Sequence, residues 1–268
     1  MYMKIYDCIT YFDEDVILKI RLNILYDVVD KFIISEGAFN HRGIKRELNF
    51  NIENYKEFSK KIIYLPVDDF PNLNDPWNML KHQRNSSNKF LKNLMKNDYV
   101  IISDVDEIPN PSKILEFVKA DNNIGVFEQL MFYYKLNILN ETSPFWHGSK
   151  ICKYEYFKNP EWLRAYKHKQ YSWWRIDKPK NLKIIKDGGW HYSFLYNLEG
   201  IIKKISSYQH SEFDNASIKN KDNLKYKIKN KLDLFGRNYK YKKISIDKNS
   251  SPDYVFKNQA KLSEWIDK

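Results

Sequence analysis

Tyr99-Val100-Ile101-Ile102-Ser103-Asp104-Val105-Asp106-Glu107 runs from an apolar stretch into three carboxylates within four residues. A short run of β-branched residues with a charged cluster at its end reads as a strand buried on both faces that surfaces at its carboxyl terminus. Lys31 to Ser35 (KFIIS) and Lys61 to Val67 (KIIYLPV) have the same character, and Met3 to Thr10 reads as a strand with a polar edge. Between the strands, Ile17, Ile20, Ile24 and Val28 recur three or four apart, broadened by Leu18, Leu22 and Leu25, which predicts a helix that Asp13 is placed to cap. Pro76 to Met95 and Ser112 to Lys119 read as further helices, and Ile124 to Gln129 and Met131 to Leu136 as further strands. Strands alternating with helices predict an α/β fold with a mainly parallel central sheet. Ligands of such sheets bind beyond the carboxyl ends of the strands, which is where the acidic loop falls.

A chain of 268 residues suits one α/β domain, here residues 1–215, with a helical, Lys-rich extension over residues 216–268 packed on it. The hydrophobic fraction of 43% is enough to fill a core and excludes a disordered chain. The net charge of +11 favours an anionic partner such as nucleic acid, a membrane surface or a phosphorylated small molecule. The lysines are scattered among Asn and Ile with no concentrated basic block, which speaks against a nucleic-acid module. Cys8 and Cys152 lie in apolar surroundings and read as two buried thiols of a reducing compartment, with one long-range disulfide as the alternative. No signal-like leader or membrane span is visible, so the expectation is a cytoplasmic chain, with peripheral membrane contact left open.

Asp104 and Asp106, two apart on an extended segment, would point to one side and hold a hard divalent cation, Mn²⁺ or Mg²⁺, that also takes phosphate oxygens. The alternative is a solvated acidic turn capping the next helix. His191, in Gly188-Gly189-Trp190-His191-Tyr192-Ser193, could complete the metal shell or be a structural histidine. Lys203, Lys204, Ser207, His210 and Glu212 form a further cluster, in which cations could hold a diphosphate and Glu212 could act as a base, or which could be a solvated helix face. Arg21 and Glu36 could form a buried pair or contact a nucleotide.

Four segments in order resemble glycosyltransferase family 17: Tyr11-Phe12-Asp13-Glu14 with Ile20-Arg21-Leu22 through Ile34-Ser35-Glu36; Ile102-Ser103-Asp104-Val105-Asp106-Glu107-Ile108-Pro109; Gly189-Trp190-His191-Tyr192-Ser193-Phe194; and Lys204-Ile205-Ser206-Ser207-Tyr208-Gln209-His210-Ser211-Glu212. The resemblance implies a GT-A-like fold and an inverting, metal-dependent transfer of a sugar, N-acetylglucosamine in the family's named activity, from a UDP-sugar donor to a hydroxyl of a glycan acceptor. It implies Asp104, Asp106 and His191 as metal residues. Thr10, Phe12, Arg21, Glu36, Asp104, Lys204 and His210 are the candidate donor contacts. Asp187 and Glu212 are the candidate bases, with Glu107 and Glu128 in reserve, and Trp146 and Trp173-Trp174 the candidate acceptor platform. A nucleic-acid-binding protein and an inactive glycan-binding relative are the competing readings.

Overall fold

The computed structural model describes residues 3–167, 182–207 and 211–268. In chain order its first half comprises β1 (Ile5–Tyr11), α1 (Asp15–Leu25), β2 (Lys31–Gly37), β3 (Ile62–Val67), α2 (Pro76–Ser86), α3 (Asn88–Leu91), β4 (Tyr99–Asp104), β5 (Glu107–Pro109) and α4 (Pro111–Lys119). There follow β6 (Ile124–Phe127), β7 (Gln129–Tyr133), β8 (Ile138–Asn140), β9 (Phe145–Trp146), β10 (Lys150–Lys153), α5 (Pro160–Arg164), β11 (Leu182–Ile185) and β12 (Gly189–Ser193). The chain closes with α6 (Leu198–Ser207), α7 (Ala216–Lys219), α8 (Lys221–Lys229), β13 (Tyr241–Lys243) and α9 (Asp253–Lys257).

Seven strands form the larger sheet in the order β11-β6-β10-β4-β1-β2-β3. The expectation of a mainly parallel sheet holds for β4-β1-β2-β3 and for β11 with β6, while β10 runs antiparallel between β4 and β6. The fold is thus mixed α/β, and it carries a second sheet, β13-β8-β7-β12-β5, that the strand pattern alone did not foretell. Its strands are only three to five residues long, too short to leave a period-two signature. Residues beyond 216 are not purely helical: β13 pairs with β8, and Val255 and Leu262 enter the main core. Cys8 and Cys152 are buried free thiols. Among the described residues no helix is long and apolar enough to cross a membrane.

The helix read as Pro76 to Met95 is divided at Ser87 into α2 and α3. Asp13 does not cap α1. Its backbone is left-handed (φ 63°), and its carboxylate accepts instead from Arg46 and Asn49. On α1, Arg21 is fully buried among Leu18, Ile20, Leu22 and Leu25. Its guanidinium pairs with the equally buried Asp7 of β1, Nε to Oδ2 at 2.8 Å and Nη2 to Oδ1 at 2.7 Å. The remaining amino group, Nη1, donates to the carbonyl of Glu107 at 2.6 Å and reaches those of Asp104 and Val105 at 3.3 and 3.4 Å. The buried partner of Arg21 is therefore Asp7 and not Glu36. One side chain joins helix, central strand and acidic loop.

Removing one member of a buried ion pair strands the other charge and typically costs about 3–5 kcal/mol. Urea unfolding of Arg21→Met is expected to show a loss of that order. Adding Asp7→Leu to Arg21→Met should restore part of it, since an apolar pair leaves no orphaned carboxylate. Equal stability of Arg21→Met and wild type would show that the pair does not hold the fold.

Candidate active site

The chain turns directly after β4. Val105 and Asp106 form the turn, and β5 then leads away. Asp104 and Asp106 therefore do not lie on one extended segment, and their carboxylates part company. Asp104 accepts from Arg84 Nη2 at 3.2 Å and Arg164 Nη2 at 2.8 Å. Asp106 meets Lys204 Nζ at 3.0 Å and stands 3.6 Å from His191 Nε2. Burial opposes ionisation of both, but Arg164 and Arg84 outweigh it at Asp104, and Lys204 and His191 at Asp106, so both are held below the usual carboxylate range.

Pairing of β5 with β12 brings the histidine to this turn. His191 lies opposite Glu107, Trp190 opposite Ile108 and Gly189 opposite Pro109. The Tyr192 amide donates to the Asp106 carbonyl at 2.9 Å, which secures the turn. Gly189 is required here: its φ is 127°, and a Cβ would meet the Ile108 carbonyl oxygen at 2.1 Å. Gly148 is required for a related reason, because a Cβ there would stand 2.0 Å from Glu107 Oε1. Glu107 itself is fully committed: it accepts from Trp146 Nε1, from Arg164 and from the Asp104 amide. It anchors the loop and orients Trp146, whose ring sits 5.1 Å from that of His191.

These groups open into a cavity of about 490 Å³ whose walls include Thr10, Phe12, Glu14, Asp104, Asp106, His191, Lys204 and Glu212. Of the candidate donor contacts, Thr10, Phe12, Asp104 and Lys204 are gathered there. Arg21 and Glu36 are not among the lining residues. The Glu36 carboxylate is spent inside the fold on Arg46, the amides of Asn49 and Phe50, and the Tyr64 hydroxyl. Among the candidate bases, Glu212 lines the cavity, whereas Asp187 lies in a left-handed turn (φ 51°) outside it and Glu128 faces His147. His210 and Trp173-Trp174 lie outside the described residues. Trp146, half-exposed, does line the cavity.

Among the described residues no group of three or more His, Cys, Asp or Glu side chains converges as a metal cage. Two do face one another: Asp106 Oδ1 and His191 Nε2, 3.6 Å apart. That gap is too long for a hydrogen bond and suits two ligands of one cation. A hard divalent ion held by few protein groups fills its other positions with phosphate oxygens and water. Asp106 and His191 are the residues that could hold such an ion, while Asp104 is held aside by its arginines.

Sequence reasoning misses Arg84 and Arg164, which carry no spacing signal on their short polar helices, and Glu14. Glu14 follows directly on Asp13 and stands at the N-cap of α1, a position at which a carboxylate is a recognisable sequence signal. Its carboxyl is buried, accepts from the Phe12 amide and borders both this cavity and a smaller one of about 220 Å³. Burial pushes it up to about 8, against the attraction of Lys204. The folded state therefore favours protonated Glu14. Its stability is full below the ordinary carboxylate range near 4.5 and declines as the pH rises towards 8. Glu14→Gln, which stays neutral, is expected to become more stable relative to wild type between pH 5 and pH 8. The gain should reach up to a few kcal/mol, since each tenfold change in proton affinity is worth about 1.36 kcal/mol. Parallel melting curves for the two proteins across that range would contradict it.

A family model described as glycosyltransferase family 17 matches residues 1–257. The chain is similar to the β-1,4-mannosyl-glycoprotein 4-β-N-acetylglucosaminyltransferases of Homo sapiens and Rattus norvegicus, each 26% identical over 233 residues, and of Mus musculus, 25% identical. The matches cover 74% of this chain but 42%, 41% and 41% of those relatives, so the chain spans about two fifths of their length. With the family match running through the β1 end, the acidic turn, the Gly189-Trp190-His191 strand and Lys204 alike, the chain belongs to glycosyltransferase family 17.

Proposed function

We propose that this chain is an inverting glycosyltransferase of GT-A-like fold that moves a sugar, N-acetylglucosamine first among candidates, from a UDP-sugar to a hydroxyl of a glycan acceptor. The observation that carries the reading is the convergence of Asp106, His191 and Lys204 in one cavity at the carboxyl ends of β1 and β4. The named activity of the mammalian relatives supports the choice of sugar.

Asp106 and His191 would hold a divalent cation, Mn²⁺ or Mg²⁺. Such an ion would supply charge neutralisation for the departing diphosphate. Lys204 supplies a second positive charge from the protein itself, and burial strengthens its action on a phosphate oxygen. Thr10 and Phe12, at the end of β1, line the same cavity and are the proposed contacts of the nucleoside. Arg84 and Arg164 keep Asp104 ionised and fixed, so the acidic turn presents one settled geometry to the donor. In an inverting transfer the acceptor oxygen bonds to the anomeric carbon as the bond from that carbon to the phosphate oxygen breaks. The hydroxyl proton passes to a carboxylate on the acceptor side. Glu212 is the proposed recipient, being the one of the pair Asp187 and Glu212 that borders the cavity.

UDP with MnCl₂ is expected to raise the melting temperature. A ligand at a hundredfold excess over its Kd adds about 2.7 kcal/mol, a rise of roughly 5–10 °C for a chain of this size. Asp106→Asn should abolish the metal-dependent part, and Lys204→Met should weaken stabilisation by UDP with or without metal. No stabilisation of the wild type by UDP under either condition would sink the reading.

A further inference from the structure

The cavity has a wall for which the donor residues do not account. Tyr133, Phe194, Phe213, Phe235 and Arg237 all line it. Their rings are contiguous: Tyr133 lies 5.6 Å from Phe194, Phe194 5.7 Å from Phe235, and Phe235 4.2 Å from Phe213. The wall adjoins the proposed diphosphate group, since Lys204 Nζ stands 5.4 Å from the Phe194 ring centre. A molecule resting on these rings would therefore lie beside whatever Lys204 holds.

Phe235 and Arg237 come from the C-terminal segment, and a single buried carboxylate builds the loop that presents them. Asp233 accepts from the amides of Phe235 and Arg237, both at 2.9 Å, from Tyr241 Oη at 2.7 Å, and from Arg237 Nε and Nη2 at 3.1 and 2.7 Å. Arg237 Nη2 also donates to Tyr133 Oη at 3.0 Å. The guanidinium packs over Tyr239 and Phe235, its centre 4.5 and 5.2 Å from their rings. Five donors on one carboxylate lock the loop, and among the described residues no acceptor engages Arg237 Nη1.

The chemistry of this wall is that of a sugar site. Apolar ring faces take the C–H face of a pyranose. A guanidinium whose Nε and Nη2 are held by Asp233 and Tyr133 presents Nη1 as a fixed, directed donor to hydroxyl oxygens. Asp233 balances the arginine's charge, so Nη1 suits a neutral polyol better than a free anion. We propose that this wall is the acceptor subsite, which takes a pyranose of the acceptor glycan, and that Arg237 is its specificity-determining residue, positioned by Asp233. The inference rests on the donor reading given above for the same cavity.

Saturation-transfer NMR with methyl glucoside, galactoside and mannoside, in the presence of UDP and MnCl₂, tests it. Wild type should bind at least one of them. Arg237→Lys, which keeps a cation on Asp233 but loses Nη1, and Phe235→Ala should each weaken that binding about tenfold or more, with the UDP-induced rise in melting temperature kept. The inference is overturned if wild type is stabilised by UDP yet binds no pyranoside, if both variants bind as wild type does, or if they lose the UDP effect in step with the sugar. Pyranoside binding that depends on Arg237 without any UDP effect in wild type would support the sugar wall and remove the donor reading instead.

Discussion

Arg21 is the constraint on which the site depends. A fully buried guanidinium must satisfy its donors, and here it does so by joining three separate parts of the chain: its own helix, Asp7 in the central strand, and the carbonyls of Asp104, Val105 and Glu107 in the acidic loop. The energetic penalty for burying the charge is offset only when all these acceptors are in place. The turn at Val105 and Asp106 is consequently not a loose surface loop. Its backbone is held from within by Arg21 and from the side by the Tyr192 amide, leaving the side chains free to face the cavity.

Above that backbone the site is a set of carboxylates paired with a few buried cations. Asp104 and Glu107 share Arg164, with Arg84 added at Asp104, while Asp106 takes Lys204 and faces His191. Buried Lys150 stands behind the first group, its Nζ bonded to the His147 and Gly148 carbonyls and its pKa lowered to about 7, mainly by burial and then by Arg164. Glu14 is the carboxyl that burial leaves near neutrality. Fixed charge in a sheltered cavity is the condition under which electrostatic stabilisation of a leaving diphosphate is strongest.

The strands of the parallel sheet are legible in the sequence because apolar runs such as YVIIS and KFIIS fall at the right lengths, and the acidic loop is legible because it ends one of them. His191 and Lys204 are legible as parts of ordered segments similar to a known family. The direction of each side chain is not. An extended segment through Asp104 and Asp106 would set both carboxylates on one side, whereas a turn intervenes and sends them to different partners. Glu36 is a plausible partner for Arg21 by residue type alone, yet Arg21 meets Asp7, because α1 packs its buried face against β1. Arg84 and Arg164 acquire meaning from Asp104, 20 and 60 residues away in sequence, and Arg237 ties Asp233 to Tyr133, 104 residues away. No local periodicity encodes such contacts.

The proposed metal position of the donor lies between Asp106 and His191. Anomalous diffraction at the manganese edge, from a crystal soaked with UDP and MnCl₂, tests it most directly. One strong peak at Asp106 and His191, with the diphosphate beside Lys204, is expected. A diphosphate bound at another surface, or a manganese peak that touches neither residue, would contradict it.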